Sequence, residues 1–102
     1  MRKITRDAVR AFTSGRCFYR ANTQVVAPTP EYDAVLFLHG SAIARRKGDT
    51  LEVSDGGWQT HTTKERLNGL PGVSVNQKDW VWYLNDREWN HEATWQPVEQ
   101  PE

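Results

Sequence analysis

Residues 34–53, "AVLFLHGSAIARRKGDTLEV", decide the fold class. The run at 34–40 is the most apolar in the chain and predicts a central strand that is buried on both faces. Two further strands follow, and the turn residues Gly48 and Asp49 lie between them. Strands joined by tight turns pair antiparallel, so this stretch predicts the middle of an antiparallel sheet.

The segment before this stretch adds another strand. Residues 17–26, "CFYRANTQVV", are rich in aromatic and β-branched side chains and predict a single strand. It ends at residues 27–33, "APTPEYD", because two prolines in three positions do not fit a central strand.

A hairpin is predicted at residues 73–84, with its tip at 76–79. Side chains alternate between the two faces of a strand, so one set of large side chains is exposed unless both faces are covered. The set on one face is Trp80, Trp82 and Leu84, and the set on the other is Val81 and Tyr83.

An amphipathic helix is predicted at residues 6–14. Thr5 can cap its first turn, and Gly15 can end it in the left-handed conformation. Ile4 can pack on Val9 across the cap. The helix is too short to persist alone, so we expect it to lie on the sheet.

A second, shorter helix is predicted at residues 63–68. Thr62 and Glu65 have the spacing of a capping box, in which each side chain satisfies a backbone amide of the first turn. Gly69 and Pro71 then end the helix.

These segments predict one α+β domain. It has a single antiparallel sheet of about five strands, an N-terminal helix and a short second helix, because no crossover helix separates the strands. The chain has 102 residues, the length of one domain. We place the domain at residues 1–90 and a polar, flexible C-terminal tail at 91–102.

Several short motifs follow one another in the middle of the chain. They are Leu38-His39-Gly40, Ile43-Ala44, Gly57-Trp58, Thr62-Thr63-Lys64-Glu65-Arg66-Leu67-Asn68, and Trp80 to Leu84. In these motifs the chain resembles a group of small phage-encoded proteins. The likeness covers roughly residues 35–84 and is most specific in the second helix. It implies a viral origin and implies no activity.

The charge balance limits the classes of partner. The chain has 13 basic and 13 acidic residues, whereas a dedicated duplex-binding protein usually has a basic excess. Residues 1–20 contain six basic residues and one acidic residue, whereas residues 86–102 contain five acidic residues and one basic residue. Either these ends attract each other in the fold or they present surfaces of opposite sign. No secretory or membrane-spanning segment is predicted, so we expect a soluble, cytoplasmic protein.

No residue pattern points to catalysis, to a metal or to a cofactor. His39, His61 and His91 contain no pair at metal-ligand spacing. The single cysteine, Cys17, allows neither an internal disulfide nor a cysteine metal site. Ser41 lies two residues from His39, but the nucleophile-elbow motif is missing. We therefore expect a non-enzymatic protein.

An anion or nucleotide site has slightly more support. Gly56 and Gly57 precede the second helix, whose first turn offers free amides, and Lys64 and Arg66 lie close by. The spacing is not that of a P-loop, and the threonines of this segment are better explained as helix caps.

Exposed aromatic and basic side chains form the predicted working surface. Such side chains can anchor a protein partner or stack unpaired bases. The leading hypothesis is a small phage accessory protein, monomeric or homodimeric, that binds and blocks a bacterial host or anti-phage defence factor. The alternative is a single-stranded nucleic-acid-binding protein with a basic, aromatic sheet face. The predicted binding residues are Arg45, Arg46, Lys47, Trp58, Lys64, Arg66 and Tyr83.

Overall fold

The computed structural model describes residues 1–98 as two helices and a series of antiparallel strands. Within these residues neither helix is long and apolar enough to cross a membrane. The elements are α1 (Lys3–Ser14), β1 (Phe18–Arg20), β2 (Thr23–Val26), β3 (Ala34–Leu38), β4 (Ser41–Lys47), β5 (Thr50–Val53), α2 (His61–Asn68), β6 (Val75–Lys78), β7 (Val81–Leu84), β8 (Arg87–Glu88) and β9 (Gln96–Val98).

The α+β class is confirmed, but the described strands form two sheets and not one. The main sheet has six strands in the order β1-β2-β3-β4-β5-β9, and the small sheet has three in the order β6-β7-β8. The strands predicted around Gly48 and Asp49 are β4 and β5. The main sheet is therefore larger than the predicted sheet, and the predicted hairpin belongs to a sheet of its own.

A single core joins the two sheets and the two helices. α1 packs on β1, β2 and β3, while α2 contacts β4, β6 and α1. Val25, Leu36 and Val53 bring the main sheet into this core, and Trp82 brings in the small sheet. The opposite face of the main sheet lies outside this core cluster, and we call it the open face. Val35 is buried there and Phe37 is half-buried, so the prediction that this strand is buried on both faces is confirmed for Val35 but not for Phe37.

Two-residue turns divide the strands more finely than the sequence predicts. The single strand predicted at 17–26 is the β1–β2 hairpin, in which Ala21 and Asn22 turn the chain with φ of 49° and 63°. Asp79 and Trp80 turn it between β6 and β7, so the predicted tip at 76–79 is shifted. Positive φ at two successive residues is typical of a type I′ turn, which usually contains Asn-Gly or Asp-Gly.

α1 begins earlier than predicted. Its N-cap is Arg2, whose side chain makes no capping hydrogen bond, and Thr5 is fully buried inside the helix. The prediction of Thr5 as the N-cap is therefore wrong. The predicted left-handed end at Gly15 is confirmed, with φ of 71°.

α2 also begins earlier, and its cap is a different threonine. The hydroxyl of Thr60 accepts a hydrogen bond from the amide of Thr63 at 3.1 Å. The capping box predicted for Thr62 and Glu65 is wrong, because the helix already starts at His61. The Glu65 carboxylate accepts a hydrogen bond from α1 instead.

Gly69 follows α2 for a packing reason. Its φ is −77°, so it is not the left-handed stop that the sequence predicts. A Cβ at this position would lie 2.6 Å from Cγ2 of Thr5 and 3.1 Å from Cγ2 of Val9. A glycine is therefore required because α1 passes directly over the end of α2.

The main sheet extends past the predicted domain boundary at residue 90. β9 pairs with β5 through Gln96 opposite Val53 and Val98 opposite Leu51. The buried amide of Gln96 also donates to the carbonyls of the preceding loop, including that of Asn90 at 2.8 Å. Of the predicted tail at 91–102, residues 99–102 lie outside the described residues.

Candidate interaction surfaces

The seven predicted binding residues do not share one surface. The strand register places Arg45 and Lys47 on the open face of the main sheet and Arg46 on its core face, where the guanidinium reaches the C-terminal end of α1. Trp58 and Lys64 lie beside and on α2, and Tyr83 lies on the small sheet. The seventh residue, Arg66, is buried.

Arg66 is a structural residue. Its side chain is 4% exposed, and its guanidinium donates to the hydroxyls of Thr23 at 3.1 Å and Thr5 at 2.9 Å. It also forms an ion pair with Glu65. The expectation that its charge is free to meet a partner is wrong, because Arg66 lies on the buried face of α2 together with Thr63 and Leu67. Arg66 thereby connects α2 to α1 and β2.

Arg45 is also committed to contacts within the protein. Its Nε lies 2.8 Å from a carboxylate oxygen of Glu52. Its guanidinium lies 4.0 Å from the centre of the Trp95 ring and 4.8 Å from that of Tyr32. Because both its charge and its flat faces are occupied, Arg45 is a fixed part of the open face.

Trp58 lies just before α2, Lys64 lies on α2 and Trp80 lies in the β6–β7 turn of the small sheet, and we call these three residues the tryptophan end. The carbonyl of Trp58 accepts from the Thr63 hydroxyl at 3.5 Å, and Lys64 is the next residue of the helix. The Lys64 ammonium donates to Gln77 of β6 at 3.1 Å. The Asp79–Trp80 turn begins two residues after Gln77. This end therefore contains two of the predicted binding residues, Trp58 and Lys64.

Trp80 is the residue that sequence reasoning missed. It is 90% exposed, whereas Trp82 is 1% exposed, although alternation placed both on one face. The difference arises because Trp80 lies in the turn, where its φ is 69°. A left-handed backbone favours Gly, and a tryptophan there is disfavoured. A large exposed ring on a strained backbone is a feature that stability alone does not select.

A groove of about 350 Å³ lies next to Trp58, between the β3–β4 turn and the start of α2. His39, Ser41, Asp55 and Thr60 are among its lining residues. His39 and Gly40 form the two-residue turn between β3 and β4, with φ of 51° and 80°. The turn conformation therefore explains why a glycine follows His39. In residues 1–98 no group of three or more His, Cys, Asp or Glu side chains could hold a metal ion. The groove thus presents scattered polar groups beside an exposed ring.

Comparison with protein families gives a match over residues 1–97 to the family described as "Kyanoviridae Gp96 protein". The chain belongs to this phage protein family. The phage origin implied by the sequence resemblance is therefore confirmed, and the match extends from α1 through the tryptophan end into β9. Neither the curated proteins nor the solved structures give a significant match.

Proposed function

We propose that this member of the phage family is a non-enzymatic accessory protein of the infected bacterium's cytoplasm. It binds and blocks a bacterial protein, either a host factor or an anti-phage defence factor. The contact surface is the tryptophan end. The observation that supports this most is Trp80, a fully presented ring on a turn whose backbone favours glycine.

Trp80 has the properties of an anchor in a protein interface. A tryptophan contributes roughly 150–250 Å² of contact area and has few rotamers to lose on binding. Tryptophan is also enriched among the residues that dominate binding energy, and these residues fill pockets on the partner. Because Trp80 lies at the tip of a hairpin, its ring can enter a pocket without any rearrangement of the sheet behind it.

A single nucleic-acid strand fits the tryptophan end less well. Binding of such a strand combines several stacking rings with a positively charged groove that follows the backbone. Here Lys64 and Lys78 are accompanied by the acidic Asp79, while Arg45 and Arg66 are committed elsewhere in the protein. The groove beside Trp58 is lined by Asp55 and by no lysine or arginine of the described residues, so it does not suit a phosphate backbone.

The test begins with capture of partners from a nuclease-treated lysate of the bacterial host. The captured protein is then purified, and its Kd is measured for the parent and for two variants. Trp80→Gly should weaken binding about 30-fold, which corresponds to about 2 kcal/mol for an anchor residue. Tyr19→Ala is the matched control, because Tyr19 is 72% exposed on the open face; its Kd should stay within about threefold.

Two results would contradict the proposal. One is a Trp80→Gly variant that binds the purified partner as tightly as the parent. The other is capture that depends on nucleic acid, together with salt-sensitive quenching of tryptophan fluorescence by an oligothymidylate. That second result would support the single-strand alternative.

A further inference from the structure

We infer that the outer face of α1 is a second binding surface, for the phosphate backbone of duplex nucleic acid. Its ligands are Arg2, Lys3, Arg6 and Arg10, which we call the basic stripe. The contact reads no base sequence, because the stripe offers charge and hydrogen-bond donors for phosphate oxygens and nothing that reaches a base edge by itself. This surface is separate from the tryptophan end and does not depend on the proposed function.

The basic stripe is continuous and faces away from the core. At about 100° per residue, the four side chains fall within an arc of roughly 100° on the helix. The buried residues of α1, such as Ala8 and Phe12, lie on the opposite side. All four basic side chains are exposed. α1 thus presents a row of cations to solvent.

The charges of the basic stripe are available for a ligand. In the described part of the chain none of the four side chains forms an ion pair. The acidic residue of the helix, Asp7, is held by Arg20 at 2.6 Å. Glu65, near the start of α1, forms an ion pair with Arg66. Both nearby carboxylates thus have an arginine outside the stripe as their ion-pair partner, and Lys3 and Arg6 attract Asp7 without forming an ion pair with it.

The arrangement opposes the stability of the helix. A helix N-terminus carries partial positive charge, which acidic side chains stabilise and basic ones destabilise. α1 has no acidic residue in its first turn, and its N-cap residue, Arg2, makes no side-chain cap. The carboxylate at this end is that of Glu65, which accepts the Arg2 amide at 3.5 Å and is already paired with Arg66. Arg6 and Arg10 form a like-charge pair one turn apart, which is also unfavourable. A bound polyanion would place negative charge at the helix N-terminus and would also reduce the repulsion between Arg6 and Arg10.

The chemistry of the stripe favours phosphate over an acidic protein. Arginine can also anchor a protein interface, but the core of such an interface is built largely from aromatic and apolar side chains, and the four residues of the stripe contain no ring and no branched apolar side chain. Phosphate contacts need only cations and donors. A helix of twelve residues is about 18 Å long, which matches about ten phosphates of a duplex at one charge per 1.7 Å. A duplex therefore supplies enough phosphates along the length of α1, and because its bases are paired, it needs no aromatic ring on the protein for stacking.

The neutral overall charge is compatible with this surface, because the acids lie elsewhere. Asp86 and Glu88 belong to the small sheet or its turn, and α1 packs on β1, β2, β3 and α2. Within residues 1–98 no acid from position 86 onward pairs with the stripe. Of the two arrangements that the sequence left open, the described ion pairs support surfaces of opposite sign.

The test measures fluorescence anisotropy of a labelled 20-base-pair DNA of arbitrary sequence at several salt concentrations. Four phosphate contacts predict a slope of log K against log salt of about −3.6, or about a 10²-fold loss of affinity between 50 and 200 mM. Arg6→Gln combined with Arg10→Gln should reduce the slope to about −1.8. The matched control is Lys47→Gln combined with Lys78→Gln, two exposed lysines elsewhere, and it should leave the slope unchanged.

Several outcomes would overturn the inference: no duplex binding at 50 mM salt, equal loss in the control pair, or single strands bound more than tenfold tighter than the duplex. Binding of poly-glutamate but not of DNA would also overturn it, in favour of an acidic protein. Trp80→Gly should bind duplex like the parent. A failure of this inference is thus distinguishable from a failure of the proposed protein partner.

Discussion

The basic stripe of α1 and the tryptophan end differ in the kind of interaction that each can make with a partner: the first is electrostatic, and the second is mainly the burial of aromatic rings. The stripe has four exposed cations and no aromatic ring, whereas the tryptophan end has two exposed rings and one lysine. Both depart from what folding alone favours. In the stripe the unfavourable term is electrostatic and is weakened by salt, while at Trp80 it is a backbone conformation that salt does not affect.

The largest expected effect concerns Arg66, which joins the helix that carries Lys64 to the helix that carries the stripe. Arg66→Met should lower the free energy of unfolding by about 3 kcal/mol, because Glu65 loses its counter-charge and two buried hydroxyls lose a donor. The loss should lower the Tm by about 12 °C or more. Thermal unfolding monitored by circular dichroism measures this.

Lys64→Met is the matched control on the same helix. Its ammonium makes one exposed hydrogen bond, to Gln77, and lies 5.8 Å from the centre of the Trp82 ring, so we expect a loss of at most about 1 kcal/mol. Equal losses for the two variants would mean that the structure has misplaced the buried cation of α2.

Trp80→Gly should raise stability, by about 1 kcal/mol, because glycine adopts the left-handed turn conformation without strain. Urea unfolding measures the effect, and it should be the same at low and high salt. Trp82→Gly, two residues on, should instead destabilise the protein strongly, since that ring is in the core. A loss of stability in Trp80→Gly would show that the ring is held by contacts within the protein.

Lys3→Glu tests whether the basic residues at the N-terminus of α1 lower the stability of the protein. An acidic residue in the first turn of α1 should stabilise the protein by about 0.3 kcal/mol at low ionic strength, and the gain should disappear in 1 M salt. The control is Ser14→Glu, at the other end of the same helix, where a negative charge is unfavourable. If both substitutions act with the same sign, the helix dipole is not the cause.

The smallest expected effect is a pH dependence at Asp7. Its hydrogen bond to Arg20, helped by the charges of Arg20, Lys3 and Arg6, lowers the pKa of the Asp7 carboxyl below its ordinary value of 3.8. A lowered pKa adds stability above that ordinary value, and the stability is lost as the pH falls through the folded-state pKa. Asp7→Asn should therefore lose less stability than the parent between pH 5 and 2. Parallel pH curves for the two proteins would contradict this.

The parts of the fold that the sequence predicts correctly depend on local chemistry. The apolar run at 34–40 and the Gly48-Asp49 turn give β3, β4 and β5, and Gly15 ends α1 as expected. The turns at Ala21-Asn22 and Asp79-Trp80 escape prediction because each contains one residue, Ala21 or Trp80, that is unusual at positive φ. β9 escapes because Pro97 is typical of a loop, although an edge strand tolerates it.

The sites depend on packing that no local pattern contains. Lys64 and Arg66 are similar in the sequence, but one is at the surface and the other is buried, because the position of α2 between α1 and the sheets decides which face is covered. Trp80 and Trp82 have the spacing of one strand face, yet a turn begins between Lys78 and Val81. The basic character of residues 1–20 was visible in the sequence, whereas the stripe required the helix to start at Lys3.

The pairing of β9 with β5 has a consequence for the order in which the protein can assemble during its synthesis. Roughly 40 residues separate the two strands, and a bacterial ribosome adds about 5–20 residues per second, so β5 emerges about 2 to 8 s before its neighbour. During that interval its backbone amides and carbonyls on one side have no strand to pair with. The newly made chain thus has an exposed sheet edge until β9 is translated.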